Sequence, residues 1–209
     1  MEMSIHQALA ELKLLANRIE DATSNALFAG IIKGKEKNVK GSNKSEEDFK
    51  TQSKADLESI KDLIQRRNEI KSKIVLSNAS TKVEIGGQVY TVAEAIERKS
   101  SIEYEKGLLY QLNYQYKNAL KNVENENYNV ERQLENQIAG IVGRDKDNNN
   151  MDLVDGLTKK YEEERKYRLV DGIGLEDTIK SLKKSIEDFE SEVDFALSIS
   201  NSLTTIQVD

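Results

Sequence analysis

The sequence predicts a mainly α-helical fold, with long antiparallel helices in a coiled-coil-like bundle and a small three-stranded β-sheet. Three observations predict it. Proline is absent from all 209 residues, although it is the residue that most strongly breaks a helix and ordinarily fills about 5% of positions. Apolar residues recur at alternating three- and four-residue steps along most of the chain, which draws one stripe along a helix. One short stretch, 81–92, instead alternates with period two about a Gly-Gly pair and reads as a hairpin.

Composition sets the outline. Charged residues make up 33% and the apolar set 37%, with 6% aromatic residues and no Trp. A compact sphere of this length ordinarily needs a larger core, so the expectation is a single elongated domain over 1–209. Without Cys there are no disulfides, thiolate metal sites or cysteine nucleophiles. The net charge of -6 favours solubility over general nucleic-acid binding. No apolar run is long enough for a membrane span, and the first residues lack the basic, apolar and cleavage regions of a secretory signal.

The elements follow in order. Ser4 is a good N-cap for a helix whose stripe runs Ile5, Ala8 or Leu9, Leu12, Leu15, Ile19 and Ala22. Residues 30–45 hold three glycines and five lysines without periodicity, and read as a loop. Ser45 and the acidic residues after it announce a second helix, carried by Phe49, Leu57, Ile60, Ile64, Ile70 and Ile74 and expected to end near Leu76. Within the hairpin, Val83 and Ile85 alternate with Lys82 and Glu84 before the turn at Gly86-Gly87. Thr91 with Glu94 three residues on makes a capping box, from which the apolar series runs through Ile102, Leu109, Leu112, Tyr116, Leu120 and Val123. It resumes at Val130, Leu134, Ile138 and Ile141, so an unbroken helix 92–142 would measure roughly 75 Å. Residues 143–151 read as the tip of a helical hairpin, followed by a charged helix from Asp152 to about Leu169 and a break at Gly172 and Gly174. The last helix has the most regular stripe of all, with Ile179, Leu182, Ile186, Phe189, Val193 and Ala196, and leads into a short strand at 204–208.

One internal similarity ties two of these elements together. Leu76 to Ile85 reads LSNASTKVEI and Ile199 to Val208 reads ISNSLTTIQV, so both helices leave through Ser-Asn and a Thr into a β-branched strand. If the two exits are alike, the C-terminal strand should join the hairpin as its third strand, since an isolated hairpin is marginal in water.

Candidate sites are few. Asp145, Asp147 and Asn149 open like a calcium loop, but Asn150 stands where that loop needs Gly and Gly156 where it needs Glu. His6 is the single histidine, which forbids a histidine pair or triad and suits a surface position. Lys33, Lys35, Lys37, Lys40 and Lys44, with Gly34 and Gly41 among them, form a candidate anion- or partner-binding loop, and Arg66 and Arg67 are further candidates. Their spacing matches no phosphate loop. Tyr110, Tyr114 and Tyr116 on the long helix, with Ile179, Leu182, Ile186, Phe189 and Val193 on the last, are the candidate oligomer interface. No catalytic, metal or cofactor set emerges, and the expectation is a non-enzymatic protein.

The blocks ALAELKLLANRI, RRNEIKSKIVLSNASTKVEIGGQVYTVAEAIERK and SNSLTTIQV resemble the septicolysin-like helical proteins and predicted structural proteins of tailed phages of low-GC Gram-positive bacteria. The resemblance implies a phage-related structural or assembly protein, a homo-oligomer in contact with other phage or host proteins, located in the virion or the host cytoplasm. The alternative is a phage-encoded counter-defence protein that sequesters a nucleotide or a host protein through the lysine-rich loop.

Overall fold

The computed structural model describes residues 1–142 and 151–208. Its order is β1 (Glu2–Ser4), α1 (Ile5–Asn25), α2 (Glu46–Ser80), β2 (Lys82–Ile85), β3 (Gln88–Thr91), α3 (Val92–Val142), α4 (Met151–Arg165), α5 (Leu175–Leu203) and β4 (Thr205–Gln207). The protein is mainly helical, and none of the described helices is long and apolar enough to cross a membrane. Two compact units emerge, one of Met1–Ser100 with Asp188–Asp209 and one of Ser101–Glu187. Of the helical-hairpin tip expected over 143–151, residues 143–150, with the calcium-like Asp145, Asp147 and Asn149, lie outside the described residues, and Met151 begins α4.

The helix starts are set by local chemistry. The Ser4 hydroxyl accepts from the Gln7 N–H at 3.2 Å while the Gln7 side chain accepts from the Ser4 N–H at 2.9 Å, a complete capping box. Ser45 accepts from the Asp48 N–H, and Glu46, Glu47 and Asp48 place negative charge at the positive end of α2. Thr91 and Glu94 close the same box at α3, with the Thr91 N–H donating to Glu94 at 2.7 Å. α3 runs unbroken for 51 residues. α2 ends at Ser80 rather than near Leu76, because the Ser80 hydroxyl bonds back to the Leu76 and Ser77 carbonyls and the Thr81 N–H reaches Ser77 at 2.8 Å.

The three-stranded sheet expected from the sequence is replaced by two separate two-stranded antiparallel sheets. β2 pairs with β3 across a turn in which Gly86 and Gly87 hold φ of 57 and 72, as a tight hairpin turn requires. β4 pairs with β1 instead, Ser4 opposite Thr205 and Met3 opposite Ile206. The Val208 N–H donates to the Met1 carbonyl at 2.9 Å and the Ile5 N–H to Thr204 at 2.9 Å. The three residues of β1, which ends on the N-cap Ser4, are too few to show an alternation, so the partner of the C-terminal strand had no signature in sequence.

The two helix exits are alike, and the likeness extends well past them. Thr81 and Thr204 each cap their helix with an N–H bonded four residues back, to Ser77 and Ser200. Each of their carbonyls then accepts from the first residue of another helix, Val92 for Thr81 and Ile5 for Thr204. Val83 opposite Tyr90 corresponds to Ile206 opposite Met3, and Lys82 opposite Thr91 to Thr205 opposite Ser4. Buried Val92 and Ala95 correspond to buried Ile5 and Ala8, and buried Val193 to buried Ile70. Even the cross-contacts correspond. Arg66 bonds Glu11 at 3.2 Å, and at the matching positions Arg98 lies over the Phe189 ring at 4.7 Å. The first unit is thus built from one helix–strand–strand–helix arrangement used twice.

Its larger core gathers Met3, Ile5, Ala8, Leu15, Ile70, Ile74, Ile206 and Val208, with Leu12 and Leu63 packed against it. Ser53 bonds the Leu27 carbonyl at 2.7 Å and Arg66 bonds Glu11 further along, so α1 and α2 run antiparallel. Burying each large aliphatic side chain of this set stabilises the fold by about 1.5–3 kcal/mol. On the other sheet, Tyr90 meets Phe189 edge to face at 5.9 Å and its hydroxyl takes a bond from Arg98. The Gly86 N–H donates to Glu192 at 2.7 Å, and Lys99 pairs with Asp194.

In the second unit α4 lies antiparallel to α3. Buried Tyr161 meets Gln133 at 3.3 Å, and the Asn127 side chain holds both the N–H of Tyr167, at 2.7 Å, and its carbonyl, at 3.0 Å. This capture of Tyr167 draws the backbone out of the helix, so α4 ends at Arg165 rather than near Leu169. Asp171 then starts α5, its carboxylate accepting from the Ile173 N–H at 3.0 Å and the Leu175 N–H at 2.6 Å.

Candidate partner-binding surfaces

The lysine-rich segment is a loop, as expected, but it is pinned. Asn38 bridges to Ser45, the Val39 N–H reaches the Lys44 carbonyl at 3.1 Å and the Lys40 N–H reaches Ile31 at 2.8 Å. Val39 is buried, and Gly30 lets it in, since a Cβ on Gly30 would stand 2.5 Å from a Val39 methyl. All five lysines are exposed on this frame. Lys44 also borders a pocket of about 190 Å³ with Asn25, Gln52, Ser53 and Asp56. Glu46, Glu47 and Asp48 follow at once on α2 and dilute the positive field. Arg66 and Arg67 are not part of this cluster. They lie some twenty residues into α2, about 30 Å from its start, where Arg66 bonds Glu11 and Arg67 bonds Asn68.

The candidate oligomer interface divides into parts that behave differently. Ile186, Phe189 and Val193 are buried within the chain itself, which corrects their assignment to a subunit contact. A regular apolar stripe reports only that something covers it, and here the chain's own elements do so. Ile179 and Leu182 are half-buried. On α3, Tyr116 belongs to the half-buried stripe with Leu112 and Val123, whereas Tyr110 and Tyr114 point the other way, 67% and 55% exposed. Their rings stack at 6.4 Å with 12° between planes. Tyr128 shares their side of the helix and is also exposed.

Sequence reasoning missed a third surface. The end of α5 and the outer side of β2 border an open groove of about 400 Å³, lined by Lys82, Val83, Glu84, Phe195, Ile199 and Leu203 among others. Phe195 and Leu203 are 71% and 77% exposed. A signal was present, because Phe195, Ile199 and Leu203 form a second four-residue series beside the core stripe of α5. It was masked by the greater regularity of the core stripe.

Few groups are electrostatically perturbed. The Thr91 backbone N–H and hydroxyl hold the Glu94 carboxyl below its usual range, and the N–H groups of Ile173, Leu175 and Gly174 do the same for Asp171. Both are capping carboxylates on the surface. His6 is exposed at the start of α1. Among the described residues no three Asp, Glu or His side chains gather as a metal site would require. No family model, curated protein or solved structure matches this chain.

Proposed function

We propose that this is a non-enzymatic structural or assembly protein that self-associates by coiled-coil-like helix packing, phage-related as the resemblance of its helix-exit blocks implies. The observation that carries the reading is the exposed tyrosine face of α3. Tyr110 and Tyr114 stack on each other in the open, with Tyr128 on the same side. Aromatic rings with a polar tip are favoured at protein interfaces, where they bury much area at little entropic cost. A second helix laid along this face, from another copy, covers it.

Light scattering coupled to size exclusion tests the reading. The wild-type protein is expected as an oligomer and the double variant Tyr110→Ser, Tyr114→Ser as a monomer of unchanged helicity. A wild-type monomer at all concentrations overturns self-association. The phage assignment has its own test: many copies of the protein in purified virions support it, and absence from virions removes it.

The lysine-rich loop favours a second reading, a counter-defence protein that sequesters a nucleotide or a host protein. Its support is the display of five exposed lysines on a pinned frame. A nucleotide that raises the melting temperature of the wild-type chain, but not of a variant with Lys33, Lys35 and Lys37 changed to Ser, is the expected result.

A further inference from the structure

We propose that the groove between β2 and α5 receives an extended apolar segment of another protein, which adds to β2 as a third strand. The site shares no residue with the α3 tyrosine face and does not depend on self-association. Two independent observations lead to it.

The first concerns the partner's conformation. With Gly86 and Gly87 as a two-residue turn, Ile85 and Gln88 exchange hydrogen bonds, and so do Val83 and Tyr90 in the alternating ladder. The bond from the Val92 N–H to the Thr81 carbonyl continues that alternation. Lys82 and Glu84 therefore direct their backbone N–H and C=O groups away from β3. Both residues line the groove. An open row of backbone donors and acceptors is completed by another strand. The opposite wall fits the same occupant. Phe195, Ile199 and Leu203 recur about every 6 Å along α5, close to the roughly 6.7 Å between alternate side chains of a strand.

The second observation is an internal control supplied by the doubled arrangement. Counted back from Thr204 and from Thr81, the positions of Phe195, Ile199 and Leu203 correspond to Ser72, Leu76 and Ser80 on α2. Those serines are exposed at the same places of the same arrangement, so the fold does not itself call for apolar residues there. Phe195 and Leu203 on α5 answer a need outside the chain, since exposed apolar patches with polar rims mark interaction sites.

The test uses the full chain and a displayed library of random peptides. Selection on wild-type protein is expected to enrich peptides with apolar residues at alternate positions. The double variant Phe195→Ser, Leu203→Ser, which gives α5 the composition of its counterpart, should keep its melting temperature and bind the enriched peptides about tenfold or more weakly. Glu84→Pro removes an outward N–H without touching the bonds to β3, and should weaken them similarly. Hydrogen exchange should show new protection at the Lys82 and Glu84 amides when a peptide is bound. No enrichment over the double variant, or equal binding by it, overturns the proposal. So does peptide protection confined to other amides, which indicates a helical occupant. If the double variant instead loses self-association, the groove belongs to a second copy and the proposal also fails.

Discussion

Gly30 and Gly107 show how differently one residue type is used within this chain. At Gly30 the absent side chain is space for Val39, and Phe49 stands 3.3 Å from where a Cβ would go. Gly30→Ala should therefore lower stability by about 1–3 kcal/mol in urea denaturation, since a methyl forced into a filled site displaces its neighbours. Gly107 lies within α3 with nothing within 4 Å of a new Cβ, and Gly107→Ala should raise stability by about 0.5–1 kcal/mol. Equal effects of the two changes would contradict this account of the loop. Of the two roles, only that of Gly107 can be read from the sequence, as a glycine inside a helical pattern. That of Gly30 depends on Val39 returning to it, held by its own N–H bond to Lys44 and by the bond of the next residue, Lys40, to Ile31.

At the scale of elements, helix starts were the most legible feature, because an N-cap and its partner three residues later are chemically complete within one turn. Ser4 with Gln7 and Thr91 with Glu94 both close as such pairs do. Asp171 was not foreseen as a cap, since its bonds reach past two glycines to Leu175. The two capping carboxylates make the starts of α3 and α5 sensitive to acid. Each has a folded pKa below its unfolded value, so its contribution is fully present above an unfolded pKa of about 4 and is lost as pH falls through the lowered folded value. Amide protection at Thr91 and Leu175 should accordingly be flat near neutrality and decline in acid below about pH 4. Glu94→Gln keeps an acceptor for Thr91 and should remove the decline at that site alone. Protection at Thr91 that is unchanged on acidification would show that the cap is not held by the carboxylate.

At the scale of the whole molecule, burial is unevenly shared. Among the described residues, Ile102, Tyr161 and Ile186 are the buried apolar residues of the second unit, and the larger core belongs to the first. Local opening costs least where the fewest apolar contacts are lost. Amides of α4 should therefore exchange well before those of α1 and of α2 about Ile70, and comparable protection in all three would mean that the units open together. By itself the sequence determined the mainly helical class, the Gly86-Gly87 hairpin, the caps of α1, α2 and α3 and the likeness of the two helix exits. Those features are written in periodicity and in bonds spanning a few residues. Tertiary structure alone decided that β4 pairs with β1, that Ile186, Phe189 and Val193 are covered by the chain itself, and that β2 is left with an open side facing Phe195, Ile199 and Leu203. Each of these depends on which distant segments meet, and a period fixes the side of an element that seeks cover without naming what covers it.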